Sequence, residues 1–219
     1  MRLVSLIGLL CSGLCLSACD EQTAKPDNLP WQVTLNAQHN PEVFHVTVGQ
    51  NSLRQTIEQL KSFPEIAVFS YEDGSRTLEA YFGKQRIGLF EAKLVAEVAI
   101  DDATVTKLQQ NATKKEGMAS GQWKFELAET DLKTINDLPI RSLIYIPVID
   151  YPSNIVEERF GKPFEIKPTQ QKDVELWLYP DKSMILMLDR NGGDIFYYGS
   201  ADYYPILQKT LLTAKPRHD

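Results

Sequence analysis

Val174-Glu175-Leu176-Trp177-Leu178-Tyr179, Met184-Ile185-Leu186-Met187-Leu188 and Ile195-Phe196-Tyr197-Tyr198 are short apolar runs separated by turn-forming residues. Runs of this length, rich in branched and aromatic side chains, read as neighbouring strands of an antiparallel meander. Asn191-Gly192-Gly193 supplies the positive backbone angles of a hairpin turn before the last of them. Residues 164–166 read as a strand before the meander. Further upstream, residues 140–149 are the most strand-like run of the chain. Between them Pro152 stands where a helix starts, Ile155, Val156 and Phe160 form its apolar face, and Gly161 ends it. Residues 201–214 read as a terminal helix with Pro205 early in it, and 215–219 as a loose end.

The same order of elements precedes this block. Residues 31–35 and 42–48 alternate as strands, followed by a turn at Gly49-Gln50-Asn51. Ser52 with Gln55 three residues on is a capping box for a helix carrying Leu53, Ile57 and Leu60, stopped by Pro64. Residues 66–71 are a strand, 72–75 a hairpin turn and 77–82 a second strand. After a break at Gly83-Lys84-Gln85 comes a long strand with Ala92, Leu94, Ala96 and Val98 on one face. Asp101-Asp102 opens another helix, with Val105, Leu108 and Ala112 inside. Residues 114–122 are rich in Gly, Ser and Lys and mark the best candidate boundary. Residues 123–127 read as a strand, and Thr130-Asp131 begins a helix closed by Pro139.

The expected fold class is therefore α+β, in two tandem units of short helices on an antiparallel meander. The divisions are 1–18, 19–30, 31–121 and 122–219. The two first helices begin near residues 52 and 152, a repeat of pattern rather than of residues. Strand, helix and meander in succession are also common in unrelated α+β proteins.

Composition limits the function. The 219 residues are 43% hydrophobic, too apolar for a disordered chain, and the net charge of −6 does not suit a general nucleic-acid binder. All three cysteines, Cys11, Cys15 and Cys19, lie at the start. The rest of the chain therefore has neither a disulfide framework nor a cysteine-ligated metal.

Residues 3–16 form an apolar stretch after Met1-Arg2. As a helix it measures about 21 Å, short of the ~30 Å hydrocarbon core, so it reads as a secretory leader rather than a spanning helix. Leu16-Ser17-Ala18-Cys19 follows directly and resembles the lipobox of bacterial lipoprotein precursors. The resemblance implies that the Cys19 thiol accepts a diacylglyceryl group and that cleavage removes residues 1–18. Removal takes Arg2 with it, so the net charge becomes −7. Asp20 resembles the signal that keeps enteric-type lipoproteins in the inner membrane, facing the periplasm. Residues 20–30, polar with two prolines, read as a tether holding an acidic body just off the bilayer.

A second resemblance lies across residues 140–200. Arg159-Phe160-Gly161-Lys162-Pro163, Glu175-Leu176-Trp177-Leu178-Tyr179 and Leu186-Met187-Leu188-Asp189 with Asn191-Gly192 are similar to the small lipoprotein of the outer-membrane β-barrel assembly machinery. The resemblance implies a helix packed on an antiparallel sheet and a protein-binding scaffold. Asp20 and the length of the chain depart from that family's pattern.

Catalytic and metal signatures are sparse. The chain has no phosphate-binding glycine loop and no G-x-S-x-G elbow, and its three histidines are His39, His45 and His218. Residues 189–194 have Ser200 where a calcium loop needs its bidentate glutamate, so they read as a hairpin turn. Asp101/Asp102 and Glu157/Glu158 read as charges near helix starts. No catalytic residue, metal or cofactor is expected.

Tyrosines concentrate after residue 140. Trp177, Tyr197, Tyr198, Tyr203 and Tyr204 are the candidate partner surface, because Tyr197 and Tyr198 face opposite sides of a strand and aromatic side chains favour protein contacts. The same residues also fit an aromatic sheet packed beneath the terminal helix. The expected function is a non-enzymatic, lipid-anchored scaffold that binds another envelope protein. The alternative is a module binding a peptidoglycan fragment, sugar or lipid, and the third reading an enzyme of unfamiliar type.

Overall fold

The computed structural model describes residues 28–214. The leader, Cys19, Asp20, most of the tether, the tail beyond 214 and His218 lie outside the described residues. The elements in order are β1 (Thr34–Leu35), β2 (Pro41–Val43), β3 (Val46–Thr47), α1 (Leu53–Leu60), β4 (Glu65–Ser70), β5 (Arg76–Ile87), β6 (Phe90–Val98), α2 (Asp102–Gln110), β7 (Lys114–Gly117) and β8 (Trp123–Glu126). They continue with α3 (Glu129–Ile135), β9 (Ile140–Pro147), α4 (Ser153–Phe160), β10 (Glu165–Pro168), β11 (Val174–Tyr179), β12 (Met184–Asp189), β13 (Ile195–Gly199) and α5 (Tyr204–Thr213).

The fold is α+β. Strands β1–β3 make a small sheet, and the other ten form one sheet in the order β10-β11-β12-β13-β9-β6-β5-β4-β8-β7. The β10–β13 meander runs inward from one outer edge and the β4–β6 meander inward from beside the β7–β8 hairpin, and their last strands, β13 and β6, flank β9 on its two sides. The division expected at 121/122 falls in the turn of the β7–β8 hairpin, whose strands extend the sheet beyond β4. Both outer edges carry features that discourage further pairing. Strand β7 is Lys-Lys-Glu-Gly, and β10 ends in Pro168.

The sheet has two differently covered faces. The inner face presents Leu78, Ala80, Leu94, Ala96, Leu143, Tyr145, Leu186, Phe196 and Tyr198, all fully buried. Side chains from every element that lies over it join the same core: Val43, Phe44 and Val46, then Leu53 of α1, Val105 and Leu108 of α2, Ile135 of α3, and Val156 and Phe160 of α4. On the outer face α5 packs Leu207 over Leu176, Leu178, Ile185 and Tyr197.

Local sequence explains most of the elements. The capping box at α1 is complete: Ser52 Oγ accepts from the Gln55 amide, and the Gln55 side chain accepts from the Ser52 amide. Asp101 caps α2, accepting from the Thr104 amide at 2.8 Å. Three expectations need correction. Residues 42–48 are not one strand but the hairpin β2–β3. Phe44 and His45 form its turn at φ 54° and 61°. Packing of the Phe44 ring against Tyr145 and Tyr198 holds this unusual turn. Strand β5 does not break at Gly83; a bulge between Tyr81 and Lys84 absorbs the irregularity, and the turn comes at Gly88-Leu89. Glu157 and Glu158 lie in the second half of α4 rather than at its start.

Candidate binding surface

The expected aromatic surface is largely core. Trp177 is 5% exposed, Tyr197 7% and Tyr198 0%. Tyr197 and Tyr198 do face opposite sides, but both sides are covered, one by α5 and the other by the N-terminal segment and α4. The hydroxyls serve internal contacts: Tyr198 donates to the Pro30 carbonyl at 2.7 Å and Tyr179 to that of Gly161 at 3.2 Å. The Tyr145 and Tyr151 hydroxyls meet at 2.8 Å, and Trp177 Nε1 donates to Glu175 at 3.3 Å. Burial holds the Tyr198 phenol far above its ordinary range. Tyr203 and Tyr204, at the start of α5, are half-buried. Burial raises the Tyr204 phenol to about 12.

Among the described residues, the outer face is covered only in part. The cluster beneath α5 draws its strand residues from β9 and β11–β13, and none from β4–β6 or β8. Over that second half the outer face presents Phe69 and Thr77, then Glu79 and Tyr81, then Lys93 and Val95. Strand registers set this arrangement, with Phe69 opposite Thr77, Tyr81 opposite Val95 and Lys93 opposite Ile146. Tyr81 is 38% exposed, while Phe69 and Val95 are half-buried. An antiparallel sheet packed on one face and wet on the other alternates in this way.

A polar network marks the boundary between the covered and uncovered halves. The Glu97 carboxylate, 5% exposed, accepts from Arg141 through an ion pair, from Ser142 Oγ at 3.1 Å and from Tyr203 Oη at 3.2 Å. The Arg141 guanidinium lies 4.5 Å from the Tyr203 ring centre. Burial acts to lower the guanidinium's proton affinity, but Glu97 outweighs it and the net direction is up. Burial, with Glu97 next, raises the Tyr203 phenol. Across β5, Glu79 accepts from Tyr71 Oη at 2.9 Å and Thr77 Oγ1 at 2.6 Å. The contacts of Tyr203 with Glu97 and Arg141 tie the start of α5 to β6 and β9, beside the open strands.

The remaining expected residues have structural places. Asp102 pairs with Arg76 at 3.1 Å. His39 and His45 are exposed turn residues at positive φ. Among the described residues no group of three or more His, Cys, Asp or Glu side chains is placed to hold a metal. In the 189–194 turn, Asp189 accepts from the Asn191 amide and Asp150 from the amides of Gly193 and Asp194. Asp194, 2% exposed, accepts from the amides of Asp189 and Tyr151. Burial raises its carboxyl to about 6. A shallow hollow on the outer side of α5, between Pro205, Ile206, Lys209, Thr210 and Thr213, is open to solvent.

Sequence reasoning passed over the open strands because Tyr81, Lys93 and Val95 look like ordinary strand residues. No protein-family model, curated protein or solved structure matches this chain.

Proposed function

We propose that the chain is a non-enzymatic binding protein of the bacterial cell envelope. It is lipid-anchored through Cys19, kept by Asp20 at the periplasmic side of the inner membrane, and docks an envelope protein on the uncovered outer face of β4–β6. One observation supports this reading above others. Among the described residues, helix α5 covers half of the face and leaves Tyr81 exposed and Val95 and Phe69 half-buried beside it, with a mixed polar and apolar character like that of non-obligate protein interfaces. Of the aromatic residues expected to meet the partner, Trp177, Tyr197 and Tyr198 are buried, while Tyr203 and Tyr204 are half-buried at the start of α5.

The test compares the detergent-extracted full chain with two variants, Tyr81→Asp combined with Val95→Asp on the open face, and Ile206→Asp on the outer side of α5. Co-purification of a partner in fixed proportion should survive Ile206→Asp and be lost with the open-face pair. A partner retained by the open-face pair, or recovery of a carbohydrate or lipid instead, rejects this assignment.

A further inference from the structure

Large apolar side chains are exposed together at one end of the sheet. Leu89, in the β5–β6 turn, is 84% exposed, and Val148 and Ile149, just beyond β9, are 49% and 81% exposed. They form one corner, because the Val148 amide donates to the Glu91 carbonyl at 2.9 Å and Ala92 pairs with Pro147. At the same end Phe63, 91% exposed, lies on the α1–β4 loop, where Ser62 accepts from the Gln85 side chain at 3.1 Å.

Behind the corner runs a short ladder of cations. Lys84 and Lys93 stand directly opposite each other on β5 and β6, and Arg86 is the next residue on the same face, opposite Glu91. All three cations are exposed, and none forms an ion pair among the described residues. Like charges in cross-strand register repel each other, and here they do so in a chain whose net charge is −6. An anionic counter-surface removes that repulsion.

The path of the chain says which surface this is. Trp31 packs edge-on against Phe90 at 5.4 Å and Tyr151 at 6.5 Å, immediately behind Leu89 and Ile149. The first described residues thus run over the inner face, where Tyr198 holds the Pro30 carbonyl, and send the Trp31 ring to the base of the exposed corner. Only residues 20–27 separate Cys19 from the described residues, and eight extended residues reach at most about 28 Å. We infer that the Leu89–Val148–Ile149 corner seats in the interface of an anionic bilayer, with Lys84, Arg86 and Lys93 at the level of the lipid phosphates. The inference rests on reading Cys19 as the lipid anchor. It changes the expected posture: the domain stands end-on against the membrane rather than hanging free of it. Apolar side chains flanked by cations are the combination that binds such an interface.

The test uses the full chain, matured in cells, extracted and reconstituted in vesicles of phosphatidylethanolamine and phosphatidylglycerol. A fluorescent label is placed at Leu89→Cys, at Ile149→Cys or, as control, at Phe164→Cys, which is exposed at the opposite end of the sheet. Quenching by lipids brominated in their acyl chains should be at least about twofold stronger at 89 and 149 than at 164. Equal quenching at all three positions in a membrane-bound protein overturns the inference while leaving the anchor intact. Loss of membrane fractionation in Cys19→Ala tests the anchor separately. If that variant still fractionates with membranes, or the wild-type chain does not, co-sedimentation with the same vesicles decides the matter. Binding weakened about tenfold by Leu89→Asp with Ile149→Asp supports the corner, and no binding or unweakened binding rejects it.

Discussion

Glu97 on β6 and Arg141 on β9 form an ion pair at the seam where the two meanders join into one sheet. Glu97 is buried, and the pair has Ser142 and Tyr203 as further donors. Removing the cation from such a pair leaves a buried charge without its partner. Arg141→Ala is therefore expected to cost about 3 kcal/mol in denaturant unfolding. Joint replacement of Glu97 and Arg141 by leucine should recover most of that loss. A cost below about 1 kcal/mol would mean that the pair behaves as an exposed surface contact.

The Asp194 carboxyl should make stability depend on pH in a direction opposite to that of ion-paired carboxylates. Burial raises its value to about 6 from an ordinary 3.8, with Asp150 and Asp189 adding to the rise and amide donors opposing it. The folded state thus holds the proton more tightly than the unfolded one. The stabilisation is complete below about pH 4 and is lost as the pH rises through 6, a difference of about 3 kcal/mol. Unfolding of the wild type and of Asp194→Asn at pH 4 and pH 7.5 separates this contribution from those of other carboxylates. The pH dependence of the variant should lack it.

The β2–β3 turn separates strain from packing. His45 is exposed at φ 61°, where glycine is at ease, so His45→Gly should stabilise the protein by about 1 kcal/mol. Phe44 has the same backbone strain, but its buried ring contacts Tyr145 and Tyr198. Phe44→Ala should cost about 3–5 kcal/mol. Thermal unfolding of the two single variants checks both signs.

Sorting is tested at one residue. Asp20→Ser should move the protein from the inner-membrane to the outer-membrane fraction on a density gradient. An unchanged distribution rules out Asp20 as the retention signal.

Elements whose chemistry is local were legible in the sequence. Ser52 and Gln55 announced α1, Asp101 announced α2, and Asn191-Gly192-Gly193 announced the last hairpin. Features decided by distant packing were not. Neither Phe44 nor His45 is a turn former, and only the ring's place between Tyr145 and Tyr198 accounts for their backbone. Alternation assigned Tyr197 and Tyr198 to opposite faces but carried no information on whether both faces were covered. For the same reason the open half of the outer face was invisible, since Tyr81 and Val95 alternate like any strand residues until the reach of α5 is known.

The central claim is that binding occurs on the open outer face of β4–β6. Photo-cross-linking in living cells, from a photoreactive residue placed at Tyr81 and, for comparison, at Ile206 on the exposed side of α5, tests it most directly. A discrete protein adduct from position 81, absent from 206 and abolished by Val95→Asp, is the predicted result. Adducts of equal yield from both positions, or none from 81, would contradict it.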